Sequence, residues 1–368
     1  MSVPLLDVNA QNHPLSDELK AAFATVLDSG RFILGDEVEA FERECAEAIG
    51  AKHAISISSG TDALLIAMMG LGIGPGDEVL CPSFTFFATA GCITRMGAVP
   101  VFCDVNEDDF NIDLTSAAAR LSPRTKAIMP VHLFGQCCDM DAIGVFAKEH
   151  GLLVIEDAAQ SIGARFNGVQ CGNFGAIGCF SFFPSKNLGG FGDGGLVTTH
   201  DDALAATLLK LRNHGMHPRY YHQLVGGNFR MDALQCALLR VKLRRLSSYA
   251  EGRARNAAWY AANLKLPKDC QLPEALAIRD HVWNQFTLRI RGEGRRDALK
   301  QHLTQAGIGC EIYYPVPLHR QECFSRLPSF DCPVSDSLAA EVLSIPIYPE
   351  LVVSQLEEVA AAIASFEG

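Results

Sequence analysis

Apolar residues recur at helical spacing from the start of the chain. Residues 16–29 place Leu19, Phe23, Val26 and Leu27 on one face, which predicts an amphipathic helix ended by Gly30. A second helix is predicted over 36–49, ended by Gly50. The pattern then turns to short apolar runs separated by helical ones. Runs 54–57, 79–81, 99–103, 126–131, 152–155, 178–183 and 195–199 read as strands. Runs 62–69, 85–96 and 140–149 read as helices. Such alternation predicts an α/β fold with a mostly parallel central sheet covered by helices on both faces.

A longer helical pattern covers 232–247, with Leu234, Leu238 and Val241 on its apolar stripe. Arg240, Lys242, Arg244 and Arg245 read as its solvated face, with a ligand patch as the second reading. Beyond about residue 250 the pattern becomes mixed. There 282–290 and 310–314 look like strands, and 296–306 and 354–366 like helices. A chain of 368 residues is expected to hold two domains. The expected division is a large domain over 1–248 and a smaller α+β domain over 249–368.

Composition narrows the class. With 48% hydrophobic and 20% charged residues the chain can bury a sizeable core. A formal net charge of -11 without a basic run argues against nucleic-acid binding, yet local arginines can still meet an anionic small molecule. The 13 cysteines are odd in number and scattered, so reduced thiols and a cytoplasmic location are expected rather than a disulfide framework. The 11 histidines form no ligand-spaced cluster, so no metal is expected. The first fifteen residues lack a signal-peptide pattern, and the weakly polar stretch 63–74 is too short to span a bilayer.

Four strings carry candidate chemistry. Ser58-Ser59-Gly60-Thr61 joins a strand to a helix, where free amides suit a phosphate, although plain N-capping explains it as well. Glu156-Asp157 ends an apolar strand, where ligands collect in parallel sheets. Side chains alternate, so one of the two is expected to face a site, and helix capping by Asp157 is the other reading. Lys186 lies between the strand ending Ser181-Phe182-Phe183 and a run with five glycines in the seven positions 189–195. Such a bed costs conformational entropy and needs a reason. A buried lysine loses basicity and becomes a nucleophile toward carbonyls. Gly226-Gly227-Asn228-Phe229-Arg230 reads as a turn, with Asn228 and Arg230 as possible anion contacts. A phosphate cradle, a strand-end carboxylate and a lysine on a glycine bed are together the parts that pyridoxal 5'-phosphate (PLP) requires.

These strings, with Pro82-Ser83-Phe84-Thr85-Phe86, Glu156 to Ser161 and Tyr314 to His319, resemble the DegT/DnrJ/EryC1/StrS family of PLP-dependent nucleotide-sugar aminotransferases over essentially the whole chain. The resemblance implies PLP fold type I (aspartate-aminotransferase-like) and a homodimer with shared active sites. It implies that Lys186 carries PLP as a Schiff base and later moves a proton. Asp157 would pair with the pyridine nitrogen, Gln160 would lie near the phenolic oxygen, and Phe86 would stack on the ring. Gly60, Thr61 and Ser181 would hold the phosphate, with Asn228 reaching it from the partner subunit. Tyr314 and His319 would face the sugar, and Arg230 an anionic group on it.

The implied reaction is a ping-pong transfer from an amino acid, glutamate, to a nucleotide-linked keto sugar. Residues 134–143, 212–215 and 220–222 lean toward a 3-keto hexose, with a 4-keto sugar as the alternative. A PLP-dependent dehydratase is opposed by Lys186, since family members with that activity carry histidine there. A regulatory homologue without chemistry is opposed by the intact Lys186, Asp157, Gln160 and Ser181.

Overall fold

The computed structural model describes residues 2–367. Helices α1 (Ser16–Ser29) and α2 (Asp36–Ile49) open it. Each ends on a glycine in the left-handed region, Gly30 at φ 64° and Gly50 at φ 81°, which a side chain would strain. Then follow β1 (His53–Ile57), α3 (Gly60–Gly70), β2 (Glu78–Pro82), α4 (Ala88–Arg95), β3 (Val99–Cys103), β4 (Thr125–Ile128), α5 (Met140–His150), β5 (Leu153–Asp157), β6 (Ile177–Ser181), β7 (Gly195–Thr199) and α6 (Asp202–Arg212). Seven strands form one sheet in the order β1-β7-β6-β5-β4-β2-β3. Only β7 pairs antiparallel with its neighbours; the other pairings are parallel. Parallel strands bring their carboxyl ends to one edge, and Asp157 stands there at the end of β5. One face of the sheet packs Ile66, Phe102 and Val197 among α3, α4 and α6; elsewhere Phe41, Phe180, Phe182 and Leu239 form a second core.

Helices α7 (Ala233–Leu243) and α8 (Leu246–Asn263) lead to the smaller unit. Its antiparallel sheet comprises β8 (Cys270–Gln271), β9 (Phe286–Ile290) and β10 (Val342–Ile345). Helices α9 (Arg295–Gln305), α10 (Pro333–Glu341) and α11 (Val353–Ala364) accompany it, and Tyr260, Leu288, Leu299 and Val359 fill its core. The expected division at 248/249 falls in the first turn of α8.

Several elements differ from the sequence pattern. The run 85–96 is helical only from Ala88, because Phe84 to Phe87 form a loop leaving β2. The single helix expected over 232–247 is two, broken at Arg244 and Arg245. Lys242 does not belong to a solvated face: it is 0% exposed. The run 310–314 is not a strand; Glu311 makes one lone bridge to Ser344. The thiol expectation also needs correction. Cys137 and Cys171 are joined as a disulfide, with Cα atoms 6.5 Å apart, while eleven cysteines are free. The bridged residues lie 34 positions apart on separate loops, a contact that spacing along the chain does not reveal. Among the described residues no helix is long and apolar enough to cross a membrane.

Candidate active site

Asp157 is buried at the carboxyl end of β5. Its neighbour Glu156 points to the opposite face, where it accepts amide hydrogen bonds from Gly172, Phe174 and Gly175, each at 2.7 Å, and pairs with His132. The alternation of the strand thus separates a structural carboxylate from one turned to the site. Burial pushes the Asp157 carboxyl above the usual carboxylate range. Hydrogen bonds from Thr89 Oγ1 (2.9 Å) and the Ala159 amide (3.2 Å) oppose that shift, as does the charge of Lys186.

Lys186 follows β6 and is partly buried. Its ammonium has no hydrogen-bond partner among the described residues. Desolvation lowers its pKa to about 8, and Asp157 pulls the other way. That shift favours the neutral amine that a nucleophile toward a carbonyl needs.

The phosphate cradle rests on a close approach. A Cβ at Gly60 would lie 2.6 Å from Ser181 Cβ, so the start of α3 can meet the end of β6 only through glycine. Gly195 adds to this, since a Cβ there would lie 2.4 Å from the Ser59 carbonyl oxygen. Ser59 caps α3 by accepting from the Asp62 amide at 3.0 Å, so N-capping is real. The capping hydroxyl serves Asp62 and leaves the amides of Gly60 and Thr61 outside the helix's own bonds. Gly60 and Ser181 thus meet at the N-terminal, positive end of α3, next to Thr61.

Gln160 is buried, holding the Phe134 amide at 2.6 Å through Oε1 and donating to the Tyr314 hydroxyl at 3.3 Å through Nε2. The Tyr314 ring lies 6.1 Å from that of Phe86, which is 55% exposed. These residues converge on the carboxyl edge of the sheet. His319 turns inward: its side chain is 1% exposed, Nδ1 lies 2.6 Å from Ser83 Oγ and Nε2 lies 3.4 Å from Asp336. That clasp joins the loop bearing Phe86 to the loop bearing Tyr314. Asn228 is exposed and makes no side-chain hydrogen bond among the described residues. Arg230 donates to Asn213 Oδ1 at 2.5 Å, with its Nε buried and unpaired. The roles of Thr89, Ser83 and His132 escaped the sequence reading, because their contacts join residues far apart in the chain.

One cluster tests the expectation about metals. His132, Cys137 and Cys171 gather within 4.8 Å, but the two sulfurs bond each other. The His132 nitrogens already face Glu156 and the Cys138 amide. The donor set is spent.

A lysine with no partner, a buried carboxylate and a cradle too narrow for a Cβ fit PLP, and they define a PLP-dependent enzyme of the aminotransferase type. Residues 14–364 match the family model described as the DegT/DnrJ/EryC1/StrS aminotransferase family, and the chain belongs to that family. It is 47% identical over 362 residues, 98% of this chain and 97% of the relative, to an Acidithiobacillus ferrooxidans protein named UDP-N-acetyl-3-dehydro-alpha-D-glucosamine 3-aminotransferase. It is 45% identical over 370 residues, 100% of this chain and 99% of the relative, to a Geobacillus stearothermophilus protein named pleiotropic regulatory protein. Its fold is similar to a crystal structure of DesV from S. venezuelae in complex with a ketimine intermediate, with a TM-score of 0.94 and 44% identity over 98% of this chain and 97% of that one.

Proposed function

We propose that the chain transfers an amino group from an amino acid, L-glutamate, to a nucleotide-linked sugar bearing a ketone at C3. The unpartnered Lys186 beside buried Asp157 carries the aminotransferase chemistry. The C3 assignment draws on the 47% identical relative, whose name specifies a 3-dehydro sugar. Assaying UDP- and dTDP-linked 3-keto and 4-keto hexoses with glutamate tests it. Turnover confined to 4-keto sugars refutes the C3 assignment.

PLP supplies an electron sink when bound. The chain's own residues do the rest. Gly60, Thr61 and Ser181 would hold the phosphate at the helix end. Asp157 would keep the ring nitrogen protonated, with Thr89 donating to its carboxyl. Gln160, Tyr314 and Phe86 would line the ring. Lys186 Nζ would hold the cofactor through a covalent bond and, as a free amine, would take the proton at the donor's α-carbon and deliver it again. Tyr314 and Arg230 would meet the sugar nucleotide. His319 acts through Ser83 by setting the loops of Phe86 and Tyr314.

The working unit in this reading is a homodimer in which Asn228 reaches the partner's phosphate site. The exposed Phe32, Ile33, Phe183 and Phe191 support it as apolar side chains a partner subunit could cover. Sedimentation at micromolar concentration checks it, and a monomer with full activity refutes the shared site. The free thiols support a cytoplasmic location. A regulatory role without chemistry has one observation behind it, the name of the 45% identical relative. A purified protein that stays colourless with added PLP favours that reading.

A further inference from the structure

Helix α7 carries a lysine in an unusual place. Lys242 is 0% exposed, and desolvation lowers its pKa to about 8. Burying an ammonium costs several kcal/mol unless bonds at the site offset it. Lys242 has few such bonds. Its Nζ donates to the Gly189 carbonyl at 2.6 Å and lies 5.5 Å from the centre of the Phe191 ring. Glu350, in the loop after β10, is the one acid acting on it. A methionine would fill the same space without that penalty, so the charge needs a use.

The Gly189 carbonyl belongs to the bed on which Lys186 stands. The bed is tied along its length, and Asn187 beside Lys186 is held through its side chain, which donates to the Val282 carbonyl at 2.8 Å and accepts from Asn284 Nδ2 at 2.7 Å. The Lys186 amide donates to Phe183 at 2.8 Å and the Gly190 amide to Phe182 at 2.7 Å. The Phe191 amide donates to Gln235 Oε1 at 3.0 Å, and Lys242 holds Gly189. No backbone amide among the described residues reaches the Gly189 oxygen. Gly189 itself is pressed against the chain, since a Cβ there would lie 2.2 Å from the Pro184 oxygen. Gln235 and Lys242 bring ties from side chains of α7, and Lys242 is the charged one.

We propose that Lys242 is a positioning residue for Lys186: its ammonium fixes the Gly189 carbonyl and with it the direction in which Lys186 leaves the glycine bed. The charge-assisted bond is short and hard to replace from within the bed. Without it, residues 186–192 keep their other ties but lose the charged one at Gly189. Misplacing a reacting group by about 1 Å costs on the order of a hundredfold in rate.

This inference rests on the assignment of Lys186 above, and the test separates the two. Lys242→Met and Lys242→Arg are compared with Lys186→Ala. Hydrogen exchange of the cofactor-free protein gives the first readout. Protection of residues 186–192 is expected to fall about tenfold in Lys242→Met and to stay near wild type in Lys242→Arg, which keeps the donor. In the loaded enzyme, kcat is expected to fall by about ten- to a hundredfold in Lys242→Met with KM nearly unchanged. The pH at which the bound cofactor's absorbance titrates should move as well. A Lys242→Met protein whose melting temperature drops while loop protection and that titration stay at wild type overturns the proposal: the lysine then holds the fold only. If Lys186→Ala still binds PLP covalently, the assignment of the site fails, and the proposal with it. Should Lys242→Met not fold, Lys242→Gln, with an amide donor of shorter reach, gives the same readouts.

Discussion

Thr89→Val is the sharpest test of how the site keeps Asp157 charged. Thr89 is buried, and its Oγ1 donates to Asp157 Oδ2 at 2.9 Å. Valine has nearly the same shape, so the change removes the bond and leaves no cavity. A hydrogen bond to a buried charged group is worth about 1.5–3 kcal/mol. At about 1.4 kcal/mol per tenfold, its loss weakens the hold of ionised Asp157 on a protonated ring by up to roughly ten- to a hundredfold. The direction follows from the balance at the carboxyl. Burial raises its pKa, and Thr89 is the largest influence lowering it. Removing Thr89 raises the pKa further, so Asp157 is neutral more often and cofactor affinity falls most at the acid end. The assay is titration of the cofactor-free protein with PLP between about pH 6 and pH 8.5, read by absorbance. Thr89→Ser, which keeps the hydroxyl, serves as control. Affinity of Thr89→Val within twofold of wild type across that range, with an unmoved acid limb, would refute the reasoning.

Three further outcomes follow from the same geometry. Gly60→Ala drives a Cβ to 2.6 Å from Ser181 Cβ, so it should lower stability by about 1–3 kcal/mol and abolish phosphate binding; thermal melts with and without PLP check both. In the cofactor-free protein, Asp157→Asn should raise the melting temperature at pH 7–8, where wild type must bury a charge; the gain should vanish as pH falls below the usual carboxylate range, and a gain that persists there contradicts the assignment. Lys186 has a pKa lowered from 10.5 to about 8, so between those values the unfolded chain holds more protons and wild-type stability rises with pH. Lys186→Met should flatten part of that rise, leaving the part due to Lys242, whose pKa is lowered likewise.

What the sequence could show depends on the range of each interaction. Elements fixed by local pattern were legible to the residue: 16–29, 36–49, 99–103 and 195–199 all match, because periodicity and a stopping glycine act within one element. The lysine, the strand-end carboxylate and the cradle were legible for a similar reason. Each sits at a junction of strand and helix, and Gly60 must be glycine wherever Ser181 comes close. What stayed hidden is carried across the fold. Thr89 reaches Asp157 from 68 positions away, and the Ser83–His319 clasp spans 236. Lys242 is the instructive case. Beside Arg240, Arg244 and Arg245 it reads as one more solvated charge, and those arginines do reach outer acids, Glu37, Glu44 and Glu18. The break after Leu243 ends the helical phase on which that reading depended, and the helix sinks Lys242 against the glycine bed instead. The glycine bed itself was singled out because it demanded a reason. The cation that holds it in place lies 53 positions further along the chain, where only the folded structure joins the two.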